Sequence, residues 1–312
     1  MNLLDISGNL LFAAFIAYLV GTFLFGGAIK DRNDTAAARA DKWGKLAIVV
    51  TIIGLVAHVG YFITRWIHTG HAPVSNMFEF TTAFGMFIVL SFVIIFFMYK
   101  VAALGVVALP VALLIIVYAS MFPTEVSPLV PSLVSVWLEI HVMTAAFGQS
   151  IFAISFIAGL VYLLKNVDVT KKSKERFWLE VIMFVCVLVI GFAVATLSFK
   201  AIGYESKFEY VNNIDQTVKE TYTMPPLFGF TDAVQLDEER MSPLVTLPNI
   251  IDSRKATTLV WSLLFGSLLY GLYRLIVRKS ISATVQPLLK RVNSQLMDEI
   301  TYRAVLIGFP VF

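Results

Sequence analysis

Seven long apolar runs dominate this chain, more uninterrupted hydrophobic helix than a soluble fold of its length buries. They fall at about 10–29, 46–66, 77–99, 101–121, 138–164, 178–199 and 257–277. Each is close to the roughly 20 residues that an α-helix needs to cross the hydrocarbon core of a bilayer. A mean hydropathy of +0.80, with 58% hydrophobic and only 14% charged residues, is far from a soluble domain. No run alternates with period two, which speaks against a transmembrane barrel. Gly21, Gly105, Pro110, Gly148 and Gly191 lie inside the runs, where membrane helices tolerate both residue types and pack through small ones. The expected fold is an all-α polytopic membrane helix bundle.

Orientation follows from the basic residues in the short loops. Lys30, Arg32, Arg39, Lys42 and Lys45 follow the first run, and Lys165, Lys171, Lys172, Lys174 and Arg176 follow the fifth. Arg274, Arg278, Lys279, Lys290, Arg291 and Arg303 cluster at and after the end of the seventh, whereas loops 68–76 and 122–136 hold no lysine or arginine. Basic loops stay cytoplasmic, so the N-terminus is expected outside, with His68, His71 and His141 external. The net charge of +3 then reflects topology, and no nucleic-acid partner is expected. Residues 1–8 lack the positive region of a cleavable signal peptide, so the first helix is expected to stay. Cys186 is the single cysteine, inside the sixth run, which excludes an intramolecular disulfide and a CxxC relay.

Domain organisation is read as a six-helix membrane bundle over 1–199, an external loop or cap over 200–256, and a C-terminal part over 257–312. The middle stretch is too long for a connector. It is rich in acidic residues and carries Tyr204, Phe208, Tyr210, Tyr222, Pro225, Pro226, Phe228 and Phe230. These suit a cap over the helix ends, a docking surface or a partly ordered spacer. After the seventh run, 278–291 reads as the start of an amphipathic surface helix through Val285, Leu288, Leu289, Val292, Leu296 and Ile300. A final apolar run, 304–312, is too short to span and reads as the start of an eighth helix.

Three places carry candidate chemistry. His141 follows Trp137 and Glu139 at the outer end of the fifth run, after a loop containing Pro123, Pro128 and Pro131. A neutral imidazole there offers a ring nitrogen to a metal or haem iron, or is simply a polar interfacial residue. The turn His68-Thr-Gly-His71-Ala-Pro73-Val-Ser-Asn76-Met-Phe-Glu79 holds Asn76 and Glu79 at capping-box spacing, with Gly70 and Pro73 shaping it. Two histidines spaced i, i+3 are an incomplete zinc set. His58, inside the second run, is a haem ligand, a proton relay or a helix-to-helix hydrogen bond, with the last the default.

Three stretches together resemble the CcsA/ResC family of system II cytochrome c biogenesis: Gly70-His-Ala-Pro-Val-Ser-Asn-Met-Phe-Glu, Trp137-Leu-Glu-Ile-His141-Val, and Asp298-Glu-Ile-Thr-Tyr-Arg-Ala-Val-Leu-Ile-Gly-Phe-Pro. That family comprises the haem-handling membrane subunits of a cytochrome c synthetase. The resemblance implies a chain in the cytoplasmic membrane that holds haem b at the outer face and positions it for attachment to the CxxCH motif of an apocytochrome c. It implies His141 as an axial ligand of the haem iron, His71 and Trp137 as weaker haem contacts, and Asn76, Glu79 and Pro73 as a structural motif. Implied partners are a CcsB/ResB-like subunit, a thiol-disulfide reductant protein and membrane lipids. The family's tryptophan-rich WGxxWxWD stretch and second external histidine have no counterpart here: Trp43, Trp66, Trp137, Trp178 and Trp261 are scattered and none precedes a Trp-Asp pair. Two other classes stay open: a multi-spanning transporter with His58 in its pathway, and a non-catalytic assembly subunit.

Overall fold

Apolar runs with few polar interruptions satisfy their backbone groups as helices, and the computed structural model shows this over residues 3–30, 37–122, 124, 135–211, 217–237, 240–248, 251–290 and 292–312, the residues described here. Six long helices come first: α1 (Leu3–Lys30), α2 (Ala37–Thr69), α3 (Met77–Tyr99), α4 (Ala102–Ala119), α5 (Val136–Asn166) and α6 (Lys174–Ala201). Five short strands follow, β1 (Ser206–Val211), β2 (Thr217–Tyr222), β3 (Phe228–Phe230), β4 (Val234–Gln235) and β5 (Val245–Leu247). The chain then forms α7 (Ser253–Val277), the short α8 (Ile281–Val285), a 3-10 turn (Gln286–Leu289) and α9 (Ser294–Val311). Seven of these helices, α1 to α7, are long and apolar enough to span a membrane. The expected polytopic all-α bundle is therefore observed. Pro123, Pro128, Pro131, Arg32 and Arg291 lie outside the described residues, as do the side chains of Lys30 and Arg39.

Contacts divide the chain into two compact units, one of Met1–Leu179 with Ile281–Phe312, the other of Glu180–Ser280. These divisions differ from the boundaries at 199 and 256 read from hydropathy, because α9 returns to pack along α5 and α6 belongs mostly with the strands and α7.

In the first unit α1 and α2 form an antiparallel hairpin. Gly54 packs on Tyr18 and Gly21 on Thr51, so closely that a Cβ at either glycine would come within 2.9 Å of those side chains. α3 and α5 run parallel: Phe87 meets Phe147 edge-on at 5.7 Å, and one turn further Ser91 and Ser150 share a buried hydrogen bond of 2.8 Å. α9 runs antiparallel to α5. Ser294 donates to Asn166 at one end, Ser155 donates to the Thr301 carbonyl midway, and Gly148 receives Phe312 at the other. A Cβ on Gly148 would sit 2.6 Å from the Phe312 nitrogen, so only glycine allows this approach. Lys165, at the Asn166 end, donates to the Val292 carbonyl. The amphipathic segment is thus shorter than expected: the Asn293 side chain accepts from Gln295 and Leu296 and starts a new helix, which runs without a break through the apolar 304–311.

In the second unit the acidic stretch is folded. β1 pairs antiparallel with β2, from Ser206 opposite Tyr222 to Val211 opposite Thr217, and with β4; β3 pairs parallel with β5. Phe208, Tyr222 and Phe230 form its core with Tyr210 and Ala233 packed against them, and Tyr210 stacks on Phe230 at 3.9 Å. Hydrogen bonds tie it to α7, from Ser253 to the Gly229 carbonyl and from Trp261 Nε1 to the Pro225 carbonyl. These aromatics form a small core of their own, which accounts for their density in a polar stretch.

Candidate functional site

The first unit has two chemically different ends. At one lie Lys45, Lys100 and Lys165; at the other lie the α2–α3 turn and the start of α5, which carry His68, His71 and His141. Because α3 and α5 are parallel and in register at Phe87 and Phe147, the first turns of both helices reach the same end.

The α2–α3 turn is a polar knot. Gly70 takes φ +76, a conformation open to glycine at little cost, which lets the chain leave α2 and reverse. Asn76 Oδ1 accepts from the Glu79 amide at 2.9 Å, the expected cap of α3. The other half of the capping box differs from expectation. Glu79 Oε2 accepts from the Ser75 amide and hydroxyl, at 3.1 and 2.7 Å, rather than from the Asn76 amide. The reason is Arg65, whose Nε donates to Glu79 Oε1 at 2.8 Å and draws the carboxylate toward α2. Arg65 Nη2 reaches the Thr124 carbonyl at 2.8 Å, and its guanidinium lies 5.2 Å from the Phe78 ring centroid. Both charged side chains are buried. A buried pair tied by further hydrogen bonds holds one geometry and tolerates the loss of neither partner. Pro73 is buried beside it.

Arg65 escapes a reading based on loop charges because it sits within an apolar run. An ionisable residue near a span end, followed by a glutamate just after the next turn, is the signal that finds it.

The histidines separate. His71 is half-buried, and its Nδ1 lies 3.0 Å from the Ala72 carbonyl. A carbonyl only accepts, so this contact places the proton on Nδ1 and leaves the Nε2 lone pair free to bind a cation. His68 is exposed. His141 is exposed on the second turn of α5 and has no side-chain hydrogen bond or ion pair among the described residues. One turn before it, Trp137 is 80% exposed, with Ile140 and Val136 also bare. Among the described residues no three histidine, cysteine or carboxylate side chains converge as a metal centre.

His58 is wholly buried. Its Nδ1 meets the Tyr18 hydroxyl at 3.3 Å, and its ring packs 5.8 Å from Tyr61, which hydrogen-bonds Thr82 on α3. This network joins three helices, in line with the helix-to-helix hydrogen bond taken as the default.

Fold and site together define a multi-pass α-helical membrane protein with exposed imidazole and indole groups at one end of its bundle. The sequence is 31% identical over 167 residues to the cytochrome c biogenesis protein CcsA of Porphyra purpurea, covering 49% of this chain and 51% of that protein. It is 31% identical over 141 residues to CcsA of Pyropia yezoensis, covering 42% and 43%. Identity to CcsA of Gloeobacter violaceus is 30% over 168 residues, covering 52% and 46%. The chain spans about half the length of these curated relatives. No family model matches it, and no solved structure does. The chain is thus similar to several CcsA proteins at about 30% identity over about half its length.

Proposed function

We propose that this chain belongs to a cytochrome c biogenesis apparatus and holds haem, its cargo, at the histidine end of the first unit for covalent attachment to a CxxCH apocytochrome c. The observation that carries this reading is the start of α5, where an exposed His141, bonded to no described side chain, stands one turn from an exposed Trp137. Similarity to proteins named for cytochrome c biogenesis supports it.

The side chains divide the work. His141 offers a neutral nitrogen as axial ligand to the haem iron, with Trp137 and Ile140 as the apolar surface beside it. His71 offers Nε2 from the neighbouring turn as a weaker contact. The Arg65–Glu79 pair and the Asn76 cap fix that turn without touching the cargo. Haem b supplies two vinyl groups, and adding a thiol S–H across each makes one C–S and one C–H bond with no net oxidation. The thiols come from the apocytochrome, so the chain acts by positioning rather than by donating a nucleophile. The histidine end faces outward from the cytoplasmic membrane, a reading supported by the distribution of basic residues. A CcsB/ResB-like subunit and a thiol-disulfide reductant protein complete the apparatus.

The test is the His141→Ala variant of the full chain, co-expressed with its membrane partner. Most of the co-purifying Soret absorbance is expected to disappear while the variant still accumulates in the membrane. Unchanged haem content would overturn the assignment.

A further inference from the structure

At the lysine end of the first unit, a groove of about 510 Å³ opens between the end of α1, the start of α2, the α3–α4 junction and the segment that leads into α9. Its position follows from the span limits. The candidate membrane spans end at Ile29 and Tyr99 and begin at Lys42 and Ala102, so the groove lies where acyl chains give way to headgroups.

The lining is amphiphilic in an ordered way. Ile48, Phe96 and Leu288 supply apolar walls, while Lys45 and Lys100 stand at the groove and no acidic residue lines it among the described residues. Lys100 is held there by the backbone: it ends α3 in the left-handed region at φ 54, its amide donates to the Phe96 carbonyl, and α4 starts two residues on. A non-glycine residue in that region is uncommon, so the tight junction sets where this cation points. Tyr99 also lines the groove, and its buried hydroxyl has no hydrogen-bond partner among the described residues.

We infer that this groove is a binding site for an anionic phospholipid of the leaflet at the lysine end, with an acyl chain against Phe96, Ile48 and Leu288 and the phosphate between Lys45 and Lys100. Basic pockets between membrane helices on the positively charged side take anionic headgroups in this way. The headgroup also gives the Tyr99 hydroxyl an acceptor. A zwitterionic lipid matches the apolar walls equally and the two cations poorly. The site lies at the opposite end of the unit from His141 and does not depend on the haem reading.

The test is native mass spectrometry of the purified full chain in mild detergent, with dioleoyl phosphatidylglycerol or dioleoyl phosphatidylcholine added. Phosphatidylglycerol is expected to be retained in preference, and Lys45→Ala with Lys100→Ala to erase that preference, by about fivefold per lysine. Gly44→Leu is the second variant. A Cβ at this groove-lining glycine meets nothing within 4 Å, so there is room for a side chain to start there. It is expected to lower retention of both lipids with an unchanged circular dichroism spectrum. Equal retention of the two lipids by the unmodified chain, or an undiminished preference in the double-lysine variant, would overturn the proposal. So would loss of the Soret band in that variant with phosphatidylglycerol still bound, which would give the groove to haem.

Discussion

The two histidine-bearing segments at one end of the first unit look alike in sequence and differ in structure. In the α2–α3 turn nearly every polar group is spent: Arg65, Ser75, Asn76 and Glu79 bond one another or nearby backbone, largely out of solvent. At the start of α5, His141 is exposed and bonded to nothing described, beside bare Trp137 and Ile140. The contrast separates two kinds of motif. Groups that satisfy one another maintain a shape, whereas exposed groups without partners, set on a rigid helix, stand ready for a ligand.

The sharpest way to break this comparison is at its buried ion pair. Glu79→Ala leaves Arg65 buried and uncompensated, and is expected to cost about 3–5 kcal/mol, read as loss of thermal stability in detergent. Replacing both partners with leucine should cost clearly less; equal losses would mean that the pair is not the fixed element described here.

Asn76→Ala removes only the cap of α3, for an expected loss of about 1 kcal/mol. Haem content should be unaffected. Stable protein that had lost its haem would move Asn76 from the first kind of motif to the second.

An intermediate case lies in the second unit, where Arg254 pairs with Glu220 at 2.7 Å with both side chains partly exposed. Burial pushes the Glu220 carboxyl above its ordinary value, and Arg254 opposes the rise. A carboxyl raised in the folded state stabilises fully below its unfolded pKa and loses that contribution as pH rises through the folded one. Arg254→Ala raises it further. The expected deficit, about 1 kcal/mol after allowing for solvent screening, is therefore larger near pH 7 than at about pH 3, below the ordinary glutamate pKa, where Glu220 is mostly protonated in both states. A deficit independent of pH would show that Arg254 acts by packing rather than by charge.

The smallest stability effect is expected at His141. Because His141 is exposed and its side chain has no partner among the described residues, its replacement by alanine should change stability by less than about 0.5 kcal/mol, against the strong spectroscopic loss predicted above. A large stability loss would place His141 among the structural residues.

Length and hydropathy sufficed for the number and type of the membrane helices, because the cost of an unbonded backbone in hydrocarbon leaves helix as the form such runs can take. Spacing alone found the Asn76 cap, since an N-cap is a local interaction within four residues. Histidines near span ends were also legible as candidates from position. Tertiary structure decided the rest, because each deciding contact joins residues far apart in the chain. Arg65 diverts Glu79 from its capping box across 14 residues. Tyr18 occupies His58 across 40. Phe312 closes on Gly148 from the far end of α9. The strands of the second unit were hidden in a polar stretch because their pairing partners and aromatic core assemble only through such distant contacts. Local sequence carries propensity and address; which polar groups end up satisfied and which remain free is settled only when the helices pack.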